Sequence, residues 1–334
     1  MESKKITLVG GGGFIGHNLA ISLKNRGHEP NIIDNLAVNN ILSFTDSDIK
    51  NRKLYWSMLN QRMDLLHDND IEINVEDARN YNAMSMLLSR QKPDVILQLA
   101  AVSHANKSNK DPHTTFDHTL RTLENTLDIA KNTGAHVIYF SSSMVYGHFN
   151  EKAVTEATPC NPLGIYGTLK YSGELIVKAY HRVFDIPYTI IRPSALYGER
   201  CVSRRVSQIF IENAVQGLDI NINGDGSDKL DFTYIEDLIN GVILTIENEK
   251  ALNETFNLTY GEARTIGEMA EILKGHFEGI KINYKQKDSL TPDRGTLNVD
   301  KACNLLGYQP ENSIDVGYPK YIQWYKRFWD SIGK

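Results

Sequence analysis

The stretch ITLVGGGGFIG, residues 6–16, decides the fold. Residues 6–9 are apolar or β-branched and predict a buried strand, and a run of glycines follows them directly. Glycine lacks a Cβ, so such a turn can bring its backbone N–H groups against a pyrophosphate, and the glycine at position 16 lets the next helix lie close to the sheet. The stretch therefore predicts a dinucleotide-binding βα unit. We expect the cofactor to contact Gly10, Gly13, Phe14, Ile15 and Gly16.

Strand-like and helical segments alternate through the first half of the chain. The predicted strands after the first lie at residues 32–33, 71–77, 94–101 and 135–143. The clearest helical patterns lie at residues 16–27 and 117–132. This order predicts an α/β protein with a Rossmann-type doubly wound parallel sheet. We expect residues 1–192 to form the cofactor-binding domain and residues 193–334 to form mainly a smaller C-terminal substrate-binding lobe.

Composition and charge exclude several classes of protein. Of the 334 residues, 41% are apolar and 23% are charged, which excludes disorder, collagen and a coiled coil. The net charge of -5 gives no overall attraction to nucleic acid or to an anionic membrane, and no apolar run reaches the roughly 18 residues of a membrane span. We therefore expect no nucleic acid and no membrane as partner. No histidine shows ligand spacing, so we expect no metal site.

The location is predicted from the cysteines and the N-terminus. The three cysteines are an odd number and lie far apart, which favours a reducing compartment over a disulfide framework. Residues 1–5 lead straight into the first predicted strand, whose apolar run is too short for a signal sequence. We therefore expect a cytoplasmic location.

Residues 39–68 form a long polar connection with one amphipathic segment, KLYWSMLNQRMDLL. Connections in such sheets usually have about 2–6 residues besides their helix. We expect an extra surface helix here. A segment that edges the ligand cleft or joins an oligomer interface is the alternative.

Two acidic residues follow strands that should end near the cofactor. Asp34 lies about twenty residues beyond the glycines, where its carboxylate would bind the adenosine ribose hydroxyls and repel a 2′-phosphate. Asn35 and no arginine follow it, so the pattern predicts NAD rather than NADP. Asp77, followed by Ala78, either borders the adenine or caps the next helix.

A tyrosine and a lysine four residues apart are the candidate catalytic pair. Tyr166 and Lys170 would face the same way on a helix. A phenol with a pKa of ~10 acts as a base near neutral pH only where a cation favours its phenolate, and Lys170 would supply that charge. The serines at 141–143 end the fifth predicted strand, where a hydroxyl could hydrogen-bond the same substrate oxygen.

These motifs together resemble the extended short-chain dehydrogenase/reductase family, and within it the nucleotide-sugar epimerases and dehydratases. The resemblance covers nearly the whole chain, in order from VGGGGFIG through LAAVSHANKS, FSSSMVYG, YGTLK and IIRPSALYG to GDGSDKLDFTYIEDL. It implies Tyr166 as the base, Lys170 as the partner that also holds the nicotinamide ribose, and Ser142 with Ser143 as catalytic hydroxyls. It also implies cofactor contacts at Leu99, Ala100, Ala101 and Pro193. The implied substrate contacts are Ser103, His104, Ser142, Ser143 and Tyr166.

The reaction is predicted from what the serine segment lacks. Dehydratases of the family carry an Asp–Glu pair where this chain has Ser143 and Met144, and the usual glutamate of the decarboxylases is also missing. The resemblance therefore implies an NAD-dependent epimerase, which oxidises a sugar hydroxyl and reduces the ketone from its other face. A dehydratase, decarboxylase or reductase of the same family is the alternative. A non-catalytic NAD sensor is the alternative of another class.

The resemblance implies a nucleotide-diphosphate sugar as substrate and a homodimer as the assembly. Leu230 stands where the family has an arginine that grips the diphosphate. Arginine suits bidentate phosphate recognition, and simple surface solvation is the alternative for each candidate. The candidates to replace the missing arginine are Arg200, Arg205 and Arg294. In the implied dimer, helices around residues 120–131 and 171–184 pair into a four-helix bundle.

Overall fold

A seven-stranded parallel sheet organises the protein. The computed structural model describes residues 2–46, 48–102, 105–286 and 292–332. The strands of the sheet are β1 (Lys5–Val9), β2 (Glu29–Ile33), β3 (Ile73–Asn74), β4 (Val95–Gln98), β5 (His136–Phe140), β6 (Tyr188–Arg192) and β7 (Glu254–Asn257). Their order in space is β3-β2-β1-β4-β5-β6-β7. This order confirms the predicted doubly wound α/β sheet, and it opens a crevice between β1 and β4, where the strand order reverses.

Helices cover both faces of the sheet. They are α1 (Phe14–Asn25), α2 (Arg52–Asp68), α3 (Tyr81–Gln91), α4 (Ala105–Lys110), α5 (Pro112–Phe116), α6 (Thr122–Thr133), α7 (Ile165–Phe184), α8 (Val206–Val215), α9 (Ile235–Glu247), α10 (Ile266–Lys274), α11 (Asp300–Leu306) and α12 (Ile314–Ser331). Successive side chains of β1 point to opposite faces, so Leu8 packs in one hydrophobic core and Val9 in the other. Both side chains are fully buried, as a parallel sheet with helices on its two faces requires. Within the described ranges, no helix combines the length and the apolar character that crossing a bilayer needs.

The predicted elements differ in extent from the observed ones. The strands predicted at residues 94–101 and 135–143 are shorter (Val95–Gln98 and His136–Phe140), the strand predicted at 32–33 is longer (Glu29–Ile33), and the helix predicted at 16–27 begins and ends two residues earlier (Phe14–Asn25). The strand expected at residues 71–77 is only Ile73–Asn74, because β3 lies at the edge of the sheet and pairs with β2 alone. The helix expected at residues 117–132 begins with a π-helical turn, Asp117–Arg121, before α6.

The chain beyond residue 192 also contributes to the sheet. Strand β7 pairs in parallel with β6, in the register Glu254 to Thr189. The rest of this half forms short two-stranded pairs and helices α8 to α12. The pairs are Leu196–Tyr197 with Thr233–Tyr234, Ile220–Asn223 with Ile282–Lys285, Lys229–Asp231 with Ala263–Thr265, and Ala153–Val154 with Thr296–Leu297. The division into domains at residues 192 and 193 stays a prediction.

Candidate functional site

A cavity lies at the carboxyl ends of β1, β2 and β4, in the crevice of the sheet. Most of the predicted cofactor contacts line it, although they come from four separate segments of the sequence. These are Gly10, Gly13, Phe14, Ile15, Gly16, Asp34, Asn35, Asp77, Ala78, Leu99, Ala100 and Ala101. The amides of Leu99 and Ala100 each donate to the carbonyl of Val9 at 2.8 Å, which fixes the β4 end against the glycine turn.

The glycine turn after β1 packs tightly against the end of β4. Gly10 has φ +82°, in the left-handed region that side chains rarely adopt. A Cβ at this position would lie 2.5 Å from the amide nitrogen of Ala100. The turn therefore needs glycine at this position to pack against the end of β4. Helix α1 begins shortly afterwards, and its first residues line the cavity, where the free N–H groups of a helix N-terminus can bind an anion.

The carboxylate of Asp34 is held by two backbone amides. One oxygen accepts from Gly12 at 2.9 Å and the other accepts from Leu36 at 2.7 Å. Burial raises the pKa of this carboxyl group, and the two amide hydrogen bonds oppose the rise. The carboxylate thus faces the cavity in a fixed orientation, with lone pairs left for ribose hydroxyls.

Asp77 lines the cavity but does not cap α3. Its carboxylate forms a bidentate pair with Arg79, with one N–O distance of 2.7 Å, and this hydrogen bonding lowers the pKa of Asp77 to about 2. The cap of α3 is Asn80, whose side-chain oxygen accepts from Ala83. Of the two alternatives for Asp77, the structure supports the position beside the cofactor cavity.

The catalytic candidates meet where α7 packs against the end of β5. Burial raises the pKa of the Tyr166 phenol, and hydrogen bonding by the nearby Ser142 hydroxyl opposes this rise. The buried Nζ of Lys170 donates to the carbonyl of Phe140 at 2.7 Å, one turn below the tyrosine on the same helix. Burial lowers the pKa of Lys170 to about 7 against the opposing charge of Glu174. The structure therefore brings together the three residues that the spacing of the sequence predicts.

Ser143 begins a 3-10 turn, Ser143–Tyr146, directly behind the catalytic serine. Its amide donates to the carbonyl of Pro193 at 2.9 Å, which joins the ends of β5 and β6, and its side chain is buried. Helix α7 lies very close to this turn, since a Cβ on Gly167 would be 2.7 Å from the carbonyl oxygen of Met144. The described lining of the cavity contains none of Ser142, Ser143, Tyr166, Lys170 and Pro193.

Arg205 connects the cavity to the catalytic residues. It lines the cavity at the N-terminus of α8, and its charge lowers the pKa of Tyr166 while burial of the phenol raises it. Arg294 is a close neighbour, since burial and the charge of Arg205 together lower the pKa of Arg294 to about 10. The Nε of Arg294 is buried and has no hydrogen-bond partner among the described residues. Two arginines therefore lie near each other, and one of them, Arg205, is close enough to Tyr166 to act on its phenol.

Arg200 is directed elsewhere. Its Nε donates to the Nε2 of His17 at 3.1 Å, a terminal nitrogen donates to Asn18 at 3.3 Å, and its guanidinium lies over the ring of Trp324. These contacts do not support the substrate role predicted for Arg200. Ser103 and His104, the other predicted substrate contacts, lie outside the described residues.

Helix α2 contributes a cavity residue that sequence reasoning missed. One face of this helix packs in the main core through Leu54, Tyr55, Met58 and Leu59, and the opposite face is exposed, as expected of an amphipathic surface helix. Its Arg62 is fully buried and lines the cavity, which agrees with the alternative of a segment at the ligand cleft. An arginine within an amphipathic helix normally marks the solvent side, so the pattern gave no signal for it.

A buried ion pair lies next to the candidate catalytic residues of α7. The guanidinium of Arg192 binds the carboxylate of Glu174 through two contacts of 2.6 and 2.9 Å. The hydroxyl of Ser141 donates to the same carboxylate at 2.5 Å. Glu174 lies one turn after Lys170 on α7, and this spacing is the signal that could have identified it.

Comparisons with known proteins agree with this geometry. The family model described as NAD dependent epimerase/dehydratase family matches residues 6–259. A protein of Methanocaldococcus jannaschii assigned as a UDP-glucose 4-epimerase is 30% identical, over 96% of this chain and 98% of its own length. A UDP-glucuronic acid 4-epimerase of Bacillus cereus, solved with UDP-glucuronic acid and NAD, is 26% identical with a TM-score of 0.85, over 96% of this chain and 99% of that one. UDP-glucuronic acid decarboxylase 1 of Danio rerio is 28% identical, over 98% of this chain and 73% of its own length.

Proposed function

This chain belongs to the NAD-dependent epimerase/dehydratase family, and we propose that it interconverts UDP-sugars that differ in configuration at C4. It is an NAD-dependent nucleotide-sugar epimerase, and hence an isomerase. The observation that carries the assignment is the cluster of Ser142, Tyr166 and Lys170 beside a dinucleotide cavity.

The residues of the cavity fit NAD. The glycine turn and the N-terminus of α1 line the cavity and suit a pyrophosphate, and the carboxylate of Asp34 suits two ribose hydroxyls. When bound, NAD would accept a hydride from the sugar and return it. Tyr166 would take the proton of the reacting hydroxyl, and Ser142 would donate a hydrogen bond to the same oxygen as its charge develops.

The absence of carboxylates behind the catalytic serine favours epimerisation over water elimination. Ser143 and Met144 occupy the turn after Ser142, and neither can act as the acid and base that elimination requires. Glu174, the buried carboxylate beneath the site, is engaged by Arg192 and Ser141. The sugar ring would therefore exchange a hydride and a proton at one carbon and lose no other group.

Arg205 and Arg294 are our candidates for binding the diphosphate of the substrate. The charge of Arg205 lies close enough to Arg294 to disfavour the charged form of Arg294, and Arg294 has an unpartnered buried N–H among the described residues. A diphosphate would supply the missing acceptors and offset the repulsion. The same proposal includes a homodimer through α6 and α7, and a cytoplasmic location, for which the free cysteines at 160, 201 and 303 are the support.

Incubation with single UDP-sugars tests the proposed reaction. UDP-glucose, UDP-glucuronic acid and UDP-N-acetylglucosamine are each incubated with the protein, and the products are resolved by NMR and mass spectrometry. We expect a C4 epimer of unchanged mass from at least one of them, without added cofactor being consumed. Tyr166→Phe removes only the phenolic oxygen and is the control, with turnover reduced about 10²–10⁴-fold. A product lacking water or carbon dioxide would contradict the proposal.

A further inference from the structure

Arg62 is buried and hydrogen-bonds no carboxylate among the described residues, although the charge of Asp34 lies near enough to favour the charged form of Arg62. Its side chain is fully inaccessible, and its hydrogen-bond acceptors are backbone carbonyl groups. Burying a guanidinium is costly unless its donors are satisfied, so these carbonyls hold the side chain in place. The location of such a group beside the cofactor cavity calls for a role other than stability.

The two carbonyls belong to residues with positive φ in two loops that both contribute to the cavity lining. Nε of Arg62 donates to the carbonyl of Arg200 at 3.0 Å, a terminal nitrogen donates to the same oxygen, and the other terminal nitrogen donates to Asn39 at 3.4 Å. Arg200 has φ +59° and Asn39 has φ +50°, both in the left-handed region that non-glycine residues rarely adopt. Such turns persist only where their surroundings hold them.

Each turn carries part of the site. Residues 34–40, which we call the cofactor loop, line the cavity with Asp34, Asn35, Val38 and Asn39. Residues 199–205, which we call the substrate loop, line it with Val202, Ser203 and Arg205. One guanidinium therefore joins two loops that are far apart in the sequence.

The side chain of Arg200 extends this connection to the glycine turn. It donates to Nε2 of His17, and Nδ1 of the same ring lies 2.9 Å from the carbonyl of Gly13. Because Nε2 accepts from Arg200, Nδ1 carries the proton and donates to Gly13. Burial and the charges of both arginines lower the pKa of His17, which keeps the ring in this neutral form.

We propose that Arg62 and Arg200 act as positioning residues that hold the substrate loop in register with the cofactor loop and the glycine turn. Their hydrogen bonds run in series from Asn39 through Arg62, Arg200 and His17 to Gly13. Arg205, five residues beyond Arg200, is thereby set beside Tyr166. The inference rests on the proposed function, because it assumes that a nucleoside diphosphate binds at Arg205.

Binding measurements test the proposal independently of turnover. Arg62→Lys keeps the positive charge but cannot reach two carbonyls with a fork of donors. We expect this variant to bind NAD about 10- to 100-fold more weakly than the wild type. When loaded with NAD, it should also bind UDP about 10- to 100-fold more weakly, as for lost hydrogen bonds to a charged group. Titration calorimetry gives both constants. Epimerisation should show KM raised by a similar factor and kcat changed much less.

A matched control lies on the same helix. Arg52 donates to the carbonyls of Phe44 and Thr45 at 2.9 and 3.3 Å but is not part of the cavity lining. Arg52→Lys should therefore bind NAD and UDP like the wild type. Equal losses in both variants would show that α2 only stabilises the fold, and would overturn the proposal.

A double-mutant cycle tests whether the two arginines act in series. Arg200→Lys should weaken UDP binding as Arg62→Lys does, and the double variant should lose little more than the weaker-binding single variant. If the losses of UDP binding free energy in the two single variants add up fully in the double variant, the two arginines do not act through one chain of contacts, and the proposal is contradicted. Unchanged NAD and UDP binding by folded Arg62→Lys, checked by thermal melting, would also overturn the proposal. If the wild type epimerises no sugar, the proposed function is rejected instead. The NAD and UDP binding constants of the variants would still test the positioning role of the two arginines.

Discussion

At Tyr166, neighbouring groups set the acidity of the phenol. Burial raises its pKa, while the charge of Arg205 and the hydrogen bond from Ser142 lower it. The phenolate is the form that acts as a base, and it exists above this pKa. Lys170 lies one turn further on α7, and burial lowers its pKa to about 7. Below that pH its side chain is positively charged.

Removal of the Arg205 charge should shift the pH dependence of catalysis. In Arg205→Met the pKa of Tyr166 rises, so the phenolate forms only at higher pH. The acidic limb of a plot of kcat/KM against pH should move to higher pH in this variant. Arg204→Met is the control, since Arg204 lies beside Glu212 on the other side of the loop and does not act on Tyr166. An unmoved limb in Arg205→Met would contradict this role.

At the scale of elements, the packing of α7 on the turn after β5 sets the catalytic geometry. The helix can approach the turn only because Gly167 has no side chain, with 2.7 Å left between a Cβ and the carbonyl of Met144. Ser142 starts this turn and Tyr166 precedes the glycine on the helix. The distance between the two catalytic oxygens therefore depends on this close contact.

Gly167→Ala should separate the helix from the turn. We expect a loss of stability of about 1–3 kcal/mol, as for other overpacked sites, and a lower kcat because Ser142 and Tyr166 move apart. Gly164→Ala is a matched control, since its Cβ would lie at an ordinary 3.5 Å from Asn109. Thermal or urea unfolding measures the first effect and initial rates measure the second. Equal behaviour of the two variants would show that the close contact has no catalytic importance.

The sequence predicts elements well where pattern and motif agree, and poorly where tertiary contacts decide. The glycine turn and the Tyr166–Lys170 pair have fixed spacings, so their structures follow from local geometry. The length of β3 depends on how many strands pair with it, and no local sequence pattern shows that. The burial of Arg62 depends on the carbonyl of Arg200, 138 residues further along the chain, so an amphipathic pattern could not show it.

At the scale of the whole molecule, α7 has an apolar surface that the chain leaves exposed. Leu175 is 50% exposed and Val183 is 68% exposed. Phe184, on the same helix, lies beneath the Nζ of Lys131 from α6. Exposed apolar residues on α7, next to α6, favour an interface with a second copy of the chain.

Light scattering coupled to size exclusion tests this interface. We expect a mass of twice 37.7 kDa for the wild type. Leu175→Glu places a charge in the proposed interface and should give a monomer. Met86→Glu, at a residue 73% exposed on α3, should remain a dimer. A monomeric wild type at micromolar concentration would reject the proposed homodimer.

The most direct test of the central claim follows a label through the reaction. UDP-glucose and UDP-glucuronic acid, each with deuterium at C4, are incubated with the protein, and the products are analysed by NMR and mass spectrometry. Transient oxidation at C4, with the same hydride returned to the other face, predicts a C4 epimer that retains its deuterium and its mass. A product that has lost water or carbon dioxide, or an epimer that has exchanged its deuterium for solvent hydrogen, would contradict the claim.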